Sequence, residues 1–372
     1  MSRHLLPIVP LFLLTACGDS APAELPPLSD EALGAVTDNA GAATEQLARQ
    51  VDELFTKPEE IGETRAAIVM HAGEIAAERY GEGYDAETRF VSWSMAKTVT
   101  AVMIGMLVAD GRLRLDDSPP VPRWQRPGDP RGEITLRQLL QMRSGLRHTE
   151  AGDPIYESSE VRMLFLDGRD DMADYAEAQP LEGEPGRKFE YSSNTTVILA
   201  DIAARALTKS DDPETRRKAV ADYLQTRLFG PLDMDSMVPE FDASGTLVGG
   251  SLMHATARDW AKFGEFLRHG GSERGSQLIP RRWIDFMTAP SPRAGYYGAQ
   301  TWLNRESGLD RDEEKQDRGP DTLFAAIGHM GQYVLVSPRQ KLTVVRLGHT
   351  DSAARMALVD ELMDVVELYP ET

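Results

Sequence analysis

Cysteine is nearly absent: of 372 residues only Cys17 carries a thiol. A chain with one cysteine forms no internal disulfide, so its fold must be held by a hydrophobic core. Positive charge is also in short supply, with 40 Lys and Arg against 59 Asp and Glu and a formal net charge of −19. Nucleic-acid binders carry a basic patch or stripe, and this balance argues against such a partner. After residue 17 no apolar run approaches the roughly 18 to 20 residues that a membrane-spanning helix requires. No internal repeat is visible. Clusters of His, Asp or Glu at ligand-like spacing are missing too, so neither a metal nor another cofactor is expected. What is present is 41% hydrophobic and 27% charged residues, which suits one large domain or two interleaved subdomains.

The first 17 residues differ from the rest. Arg3 and His4 precede an apolar run over residues 5–14, followed by Thr15, Ala16 and Cys17, the layout of an export signal. Leu14-Thr15-Ala16-Cys17 resembles the lipobox of bacterial lipoproteins, in which the cysteine is lipidated and becomes the first mature residue. That resemblance implies a membrane partner through a lipid anchor at Cys17 and a place in the bacterial cell envelope, on the periplasmic or outer side. Residues 18–45 are rich in Ala, Pro, Asp and Glu and are broken by Pro22, Pro26 and Pro27, so they read as a flexible tether.

The folded part is expected over residues 46–372. It opens with a helix near residues 42–55, then strands at 66–70 and 75–79 around a short turn. Strands at 333–336 and 342–347 and a helix at 353–368 close it, the helix presenting apolar residues from Met356 to Val366 on one face. Strands and a helix at each end point to an α+β fold, with one antiparallel sheet built from both chain ends and flanked by helices. A mostly helical region, about residues 95–290, is inserted between them.

Ser94-Met95-Ala96-Lys97 follows an apolar stretch and opens an apolar helical run. In a helix this spacing puts hydroxyl and amine on one face, with Cβ atoms about 5 to 6 Å apart. Serine is a weak nucleophile near neutral pH and needs a base, and a lysine among apolar neighbours gives up its proton more easily than one in water. Ser94 and Lys97 are therefore the candidate nucleophile and base of an acyl-transfer enzyme. Taken alone, the pair reads equally as a helix N-cap and a solvated side chain.

Further segments follow in order. Val91-Ser92-Trp93-Ser94-Met95-Ala96-Lys97, Ser144-Gly145-Leu146, Tyr191-Ser192-Ser193-Asn194, Gly250-Ser251 and Gly328-His329-Met330-Gly331-Gln332 together resemble the motifs of the class C β-lactamase-like serine hydrolases. That family comprises β-lactamases, D-Ala-D-Ala peptidases, esterases and 6-aminohexanoate-dimer hydrolases. The resemblance spans residues 46–372 and implies a β-lactamase/transpeptidase-like fold and a small-molecule acyl substrate with an amide or ester bond. It adds Tyr191 as a third catalytic residue, since a phenol near a lysine ammonium ionises more easily and can relay protons. Ser193 stands where β-lactamases carry the asparagine of Tyr-x-Asn, with Asn194 one residue later. This favours the 6-aminohexanoate-dimer hydrolase and esterase branch.

The third motif reads in two registers, as His329-Met330-Gly331 or as Ala326-Ile327-Gly328. The second leaves the backbone N–H of His329 to complete an oxyanion hole with that of Ser94. Tyr156 falls in a loop where some relatives place a substrate-facing tyrosine, and Trp93, Trp302 and Tyr333 are candidates for the pocket wall or the core. A penicillin-recognising D-Ala-D-Ala peptidase or β-lactamase, and a non-catalytic envelope binding protein of the same fold, stay open as alternatives.

Overall fold

In a computed structural model, which describes residues 26–306 and 318–372, the first hairpin closes on Ala72 and Gly73. Both take positive φ, 52° and 94°, the left-handed pair that matches the twist of two antiparallel strands. The strands are β1 (Glu63–His71), β2 (Glu74–Tyr80), β3 (Arg89–Val91), β4 (Val238–Pro239), β5 (Met253–Thr256), β6 (Ser272–Glu273), β7 (Ser276–Gln277), β8 (Trp302–Leu303), β9 (Phe324–Gly328), β10 (Gln332–Ser337) and β11 (Leu342–His349). Six of them form one antiparallel sheet in the order β2-β1-β11-β10-β9-β8. Its centre joins the two ends of the chain, with Ile68 opposite Val345. The expected α+β architecture, a sheet made by both termini, is the observed one.

Alternation along the strands divides the interior in two. Ala66 and Ile68 of β1 and Val334 and Val336 of β10 enter the larger core. Ala67, Val69, Tyr333 and Leu335 enter the other, beneath helices Thr44–Thr56 and Arg355–Glu367. A sheet covered on both faces explains why its strands read as unbroken apolar runs rather than as alternating ones. The inserted region builds on two helices, Ala96–Ala109 and Ser193–Leu207, each buried along most of its length, as expected of helices that are apolar on every side. It also contains strand structure that composition did not suggest, the small sheet β3-β5-β4 and the hairpin β6-β7.

The expected tether is shorter than its composition implied. Residues 18–25, like the Cys17 signal, lie outside the described residues. From Ser29, which caps the helix Asp30–Gly34, the chain is packed. Thr37 N–H donates to the Ala76 carbonyl, and Glu78 N–H donates to that of Ala35, both at 2.9 Å. This segment covers the free edge of β2, a position that otherwise leaves backbone groups open to unwanted pairing. Ala40 is buried, and the Tyr369 hydroxyl donates to its carbonyl. A few apolar side chains outweigh the prolines once an edge strand is available to hold them.

One buried carboxyl bears on stability. Glu177, at the end of helix Met172–Glu177, is 3% exposed, and its Oε1 has no hydrogen-bond partner. It lies beside Asp201, which is held by Arg205 and Arg216. Burial, then the Asp201 charge, pushes the Glu177 carboxyl far above the usual carboxylate range. The folded chain therefore keeps a proton that the unfolded chain releases, so stability falls as pH rises above the ordinary glutamate value of 4.5. Glu177→Gln is expected to gain on the order of 1 to 3 kcal/mol at alkaline pH and little in acid. Thermal melts across pH check this, and an equal shift at every pH would refute it.

Candidate active site

Strand β3 delivers the chain to Ser92, a buried residue whose N–H donates to the Met253 carbonyl at 2.7 Å and whose Oγ accepts from Met253 N–H at 3.1 Å. A single 3₁₀ turn, Trp93–Met95, then leads into helix Ala96–Ala109. Trp93 has φ of 44°, a left-handed conformation uncommon for a large side chain and costly unless the surroundings enforce it. The turn leaves Ser94 facing a cleft of about 330 Å³, lined also by Trp93, Glu150, Glu160, Tyr191 and His329.

Lys97 lies at the floor of the site, 1% exposed. Its Nζ is 2.8 Å from Ser94 Oγ, 2.7 Å from Ser193 Oγ and 2.8 Å from the Gly250 carbonyl. Tyr191 presents its ring to the same nitrogen, with the centroid 4.8 Å away, and packs on Tyr297 and Trp302. Burial lowers the Lys97 pKa below its usual value, with Glu150 and then Glu160 opposing the shift. Ser94, Lys97, Tyr191 and Ser193 are thus brought together from two helices and the turns before them.

Glycine makes two of these approaches possible. A Cβ on Gly328 would sit 2.3 Å from the Ser92 carbonyl, so only a residue without one lets the end of β9 press against the nucleophile turn. A Cβ on Gly250 would sit 2.9 Å from the Ser193 carbonyl. Ile327, Gly328 and His329 line the cleft, and the His329 ring meets Trp93 edge to face at 5.5 Å. Gly331 points elsewhere, toward Arg346 and Leu358. Of the two registers, the structure sets Ala326-Ile327-Gly328 beside Ser94.

Several expectations are placed differently. Tyr156 is 57% exposed, and its neighbour Ile155, not Tyr156, lines the cleft. Asn194 is buried, with its amide on Ser159 rather than on the cleft. Trp93 and Trp302 line the wall, whereas Tyr333 belongs to the core.

Two carboxylates were not anticipated. Glu150 accepts from both Ser193 N–H and Ser193 Oγ at 2.6 Å, and Glu160 accepts from Ser193 Oγ at 3.1 Å. A paired bridge fixes their loops together, Thr149 N–H to Ser159 Oγ at 2.7 Å and Ser159 N–H to Thr149 Oγ1 at 2.9 Å. His148, just before, is fully buried between Thr195 and the Ala176 carbonyl, and burial takes its pKa down to about 4, so it braces the loop as a neutral ring. Val161, Leu164 and Phe165 add an apolar wall.

Comparison with known proteins agrees with this arrangement. The family profile named Beta-lactamase matches residues 62–366. The chain belongs to the beta-lactamase family. It is 26% identical over 325 residues to a 6-aminohexanoate-dimer hydrolase of Paenarthrobacter ureafaciens, covering 81% of this chain and 76% of that one. Among solved structures, a family VIII carboxylesterase superposes with a TM-score of 0.62 at 15% identity, over 88% of this chain and 97% of its own. A D-stereospecific amidohydrolase from Streptomyces gives 0.57 at 20% identity, over 83% and 97%. The beta-lactamase fold and a place among hydrolases of amides and esters follow for this chain.

Proposed function

We propose that this protein is a serine hydrolase that cleaves a linear amide or an ester through an acyl-enzyme on Ser94. The observation that carries the reading is the 2.8 Å contact between Ser94 Oγ and an amine that is buried and held at a depressed pKa. Lys97 takes the Ser94 proton as the oxygen attacks the carbonyl, and Lys97 with Tyr191 delivers one to the leaving group. Backbone N–H groups of Ser94 and His329 receive the developing oxyanion, a role worth about 2.7 to 4 kcal/mol per donor where it has been measured. Water then releases the acyl group. Ser193, rather than an amide side chain, contacts Lys97, which favours the 6-aminohexanoate-dimer hydrolase and esterase branch over a penicillin-recognising enzyme.

Purified protein treated with a fluorophosphonate probe and assayed on p-nitrophenyl esters, linear amides, D-amino-acid peptides and benzylpenicillin tests this. Labelling with ester or amide turnover supports the proposal. Acylation by penicillin assigns the protein to the peptidases and β-lactamases, and neither reaction leaves a binding protein.

The envelope address is proposed from residues 14–17 alone. Cys17→Ala is expected to move most of the protein from the membrane fraction to the soluble one, because the lipid chains supply about 0.8 kcal/mol per buried CH₂. Fractionation followed by immunoblot decides, and a variant that stays with the membrane counts against lipidation.

A further inference from the structure

The three oxygens around Lys97 cannot be equivalent. A neutral amine has two N–H bonds and one lone pair, and it faces Ser94 Oγ, Ser193 Oγ and the Gly250 carbonyl. The Gly250 carbonyl only accepts, so it takes one N–H. The Ser193 hydroxyl owns a single proton, and two carboxylates attract it, Glu150 Oε1 at 2.6 Å and Glu160 Oε1 at 3.1 Å. Whichever of them receives it, Ser193 Oγ turns a lone pair to Lys97 and takes the second N–H. The nitrogen lone pair then has one direction left, toward Ser94.

We propose that Glu150, acting through Ser193, is a positioning residue that aims the Lys97 lone pair at the Ser94 hydroxyl. The proposal rests on the hydrolase reading and adds to it a residue outside the Ser-Lys-Tyr set. Glu150 grips Ser193 twice, because its Oε2 accepts Ser193 N–H at 2.6 Å, an unpaired donor in the first turn of helix Ser193–Leu207. Its side chain is only 19% exposed.

During acylation Ser94 Oγ bonds to the carbonyl carbon, the C=O pair moves to oxygen, and the Ser94 proton passes to Lys97 Nζ. The bond to the leaving group then breaks, and that group takes the proton from Lys97 directly or through Tyr191. With a fluorophosphonate the Oγ–P bond forms as the P–F bond breaks and fluoride departs. Were Ser193 to donate to Lys97 instead, the lone pair would be occupied and the Ser94 proton would have no receiver. The charged and titratable groups facing Lys97 among the described residues are Glu150 at 3.7 Å, Glu160 beyond Ser193 and Tyr191.

The test is the pH profile of fluorophosphonate labelling for wild type, Glu150→Gln, Glu150→Asp, Ser193→Ala and the Glu150→Gln/Ser193→Ala double variant, each checked for folding by thermal melt. A glutamine offers one acceptor to two donors, so its amide N–H turns the Ser193 proton toward Lys97. The labelling plateau of Glu150→Gln is expected to fall on the order of 10- to 100-fold. Its acid limb should move to lower pH, since a negative charge beside Lys97 is gone. With Ser193 already Ala, Glu150→Gln should lower the plateau no further while still moving the limb. Glu150→Asp keeps the charge and should hold the limb in place, and it carries the test if Glu150→Gln does not fold. An unchanged plateau, an unmoved limb, or an equal plateau loss in both backgrounds overturns the positioning role. A wild-type protein that never labels sinks the hydrolase reading itself, a separate result.

Discussion

Replacing Ser94 by Ala is expected to abolish covalent labelling by a fluorophosphonate and to lower amide or ester hydrolysis on the order of 10⁴- to 10⁶-fold. The hydroxyl is the atom that would bond to the acyl carbon, and no neighbouring group replaces it: Ser193 Oγ is committed to Glu150 and Lys97, and Ser92 Oγ is held by backbone groups of Trp93, Ser251 and Met253. The fold should not notice. Ser94 is only partly buried, and losing its one bond to Lys97 should shift stability by about 1 kcal/mol or less. Intact-mass measurement of probe-treated protein gives the answer directly. An adduct on Ser94→Ala would mean that the nucleophile has been misassigned.

Lys97→Arg should be nearly as damaging, by about 10²- to 10⁴-fold, although charge is conserved. A guanidinium stays protonated at any working pH and has no lone pair to offer a hydroxyl. It is also larger than a pocket in which Nζ already touches three oxygens within 2.8 Å. In the wild type, burial draws the Lys97 pKa below 10.5, so the reactive neutral amine appears at lower pH than for a lysine in water. Labelling should therefore climb along a limb lying below that value. The sign for stability follows: between the depressed value and 10.5 the unfolded chain holds the extra proton, and stability rises with pH through that window. Wild-type labelling rates in Lys97→Arg at neutral pH would remove lysine from the proton path.

How much of this could be read beforehand varied with distance along the chain. Ser94 and Lys97 are one helical turn apart, so their meeting is a local event that spacing reveals. The sheet strands were legible because burial on both faces makes their text uniformly apolar, as in Tyr333-Val334-Leu335-Val336. Tyr191 and Ser193 needed the order of several motifs, since no local pattern tells a tyrosine where Lys97 is. Glu150 and Glu160 left no trace at all. In a chain with 59 acidic residues, a carboxylate that will hold a hydroxyl looks like one that will face water.

Two errors have equally physical origins. Tyr156 and Ile155 share the short turn Ile155–Glu157, and neighbours in a turn point in different directions, so an offset of one residue exchanges a phenol at the cleft for an aliphatic side chain. The stretch after residue 28 was judged by its prolines and acids. What holds it is the unpaired edge of β2, a partner that composition cannot show.

The pairing of β1 with β11 sets when this site comes into being. The end of β9 reaches the Ser92 turn only as part of a sheet whose central seam joins residues 63–71 to residues 342–349. Until the ribosome has finished β11, β1 has no neighbour on that side and the wall opposite Ser94 has nothing to dock on. Contacts this distant in sequence form late and slowly. A partly synthesised chain is therefore inert, and hydrolytic competence arrives with completion of the polypeptide rather than through a later activating cut.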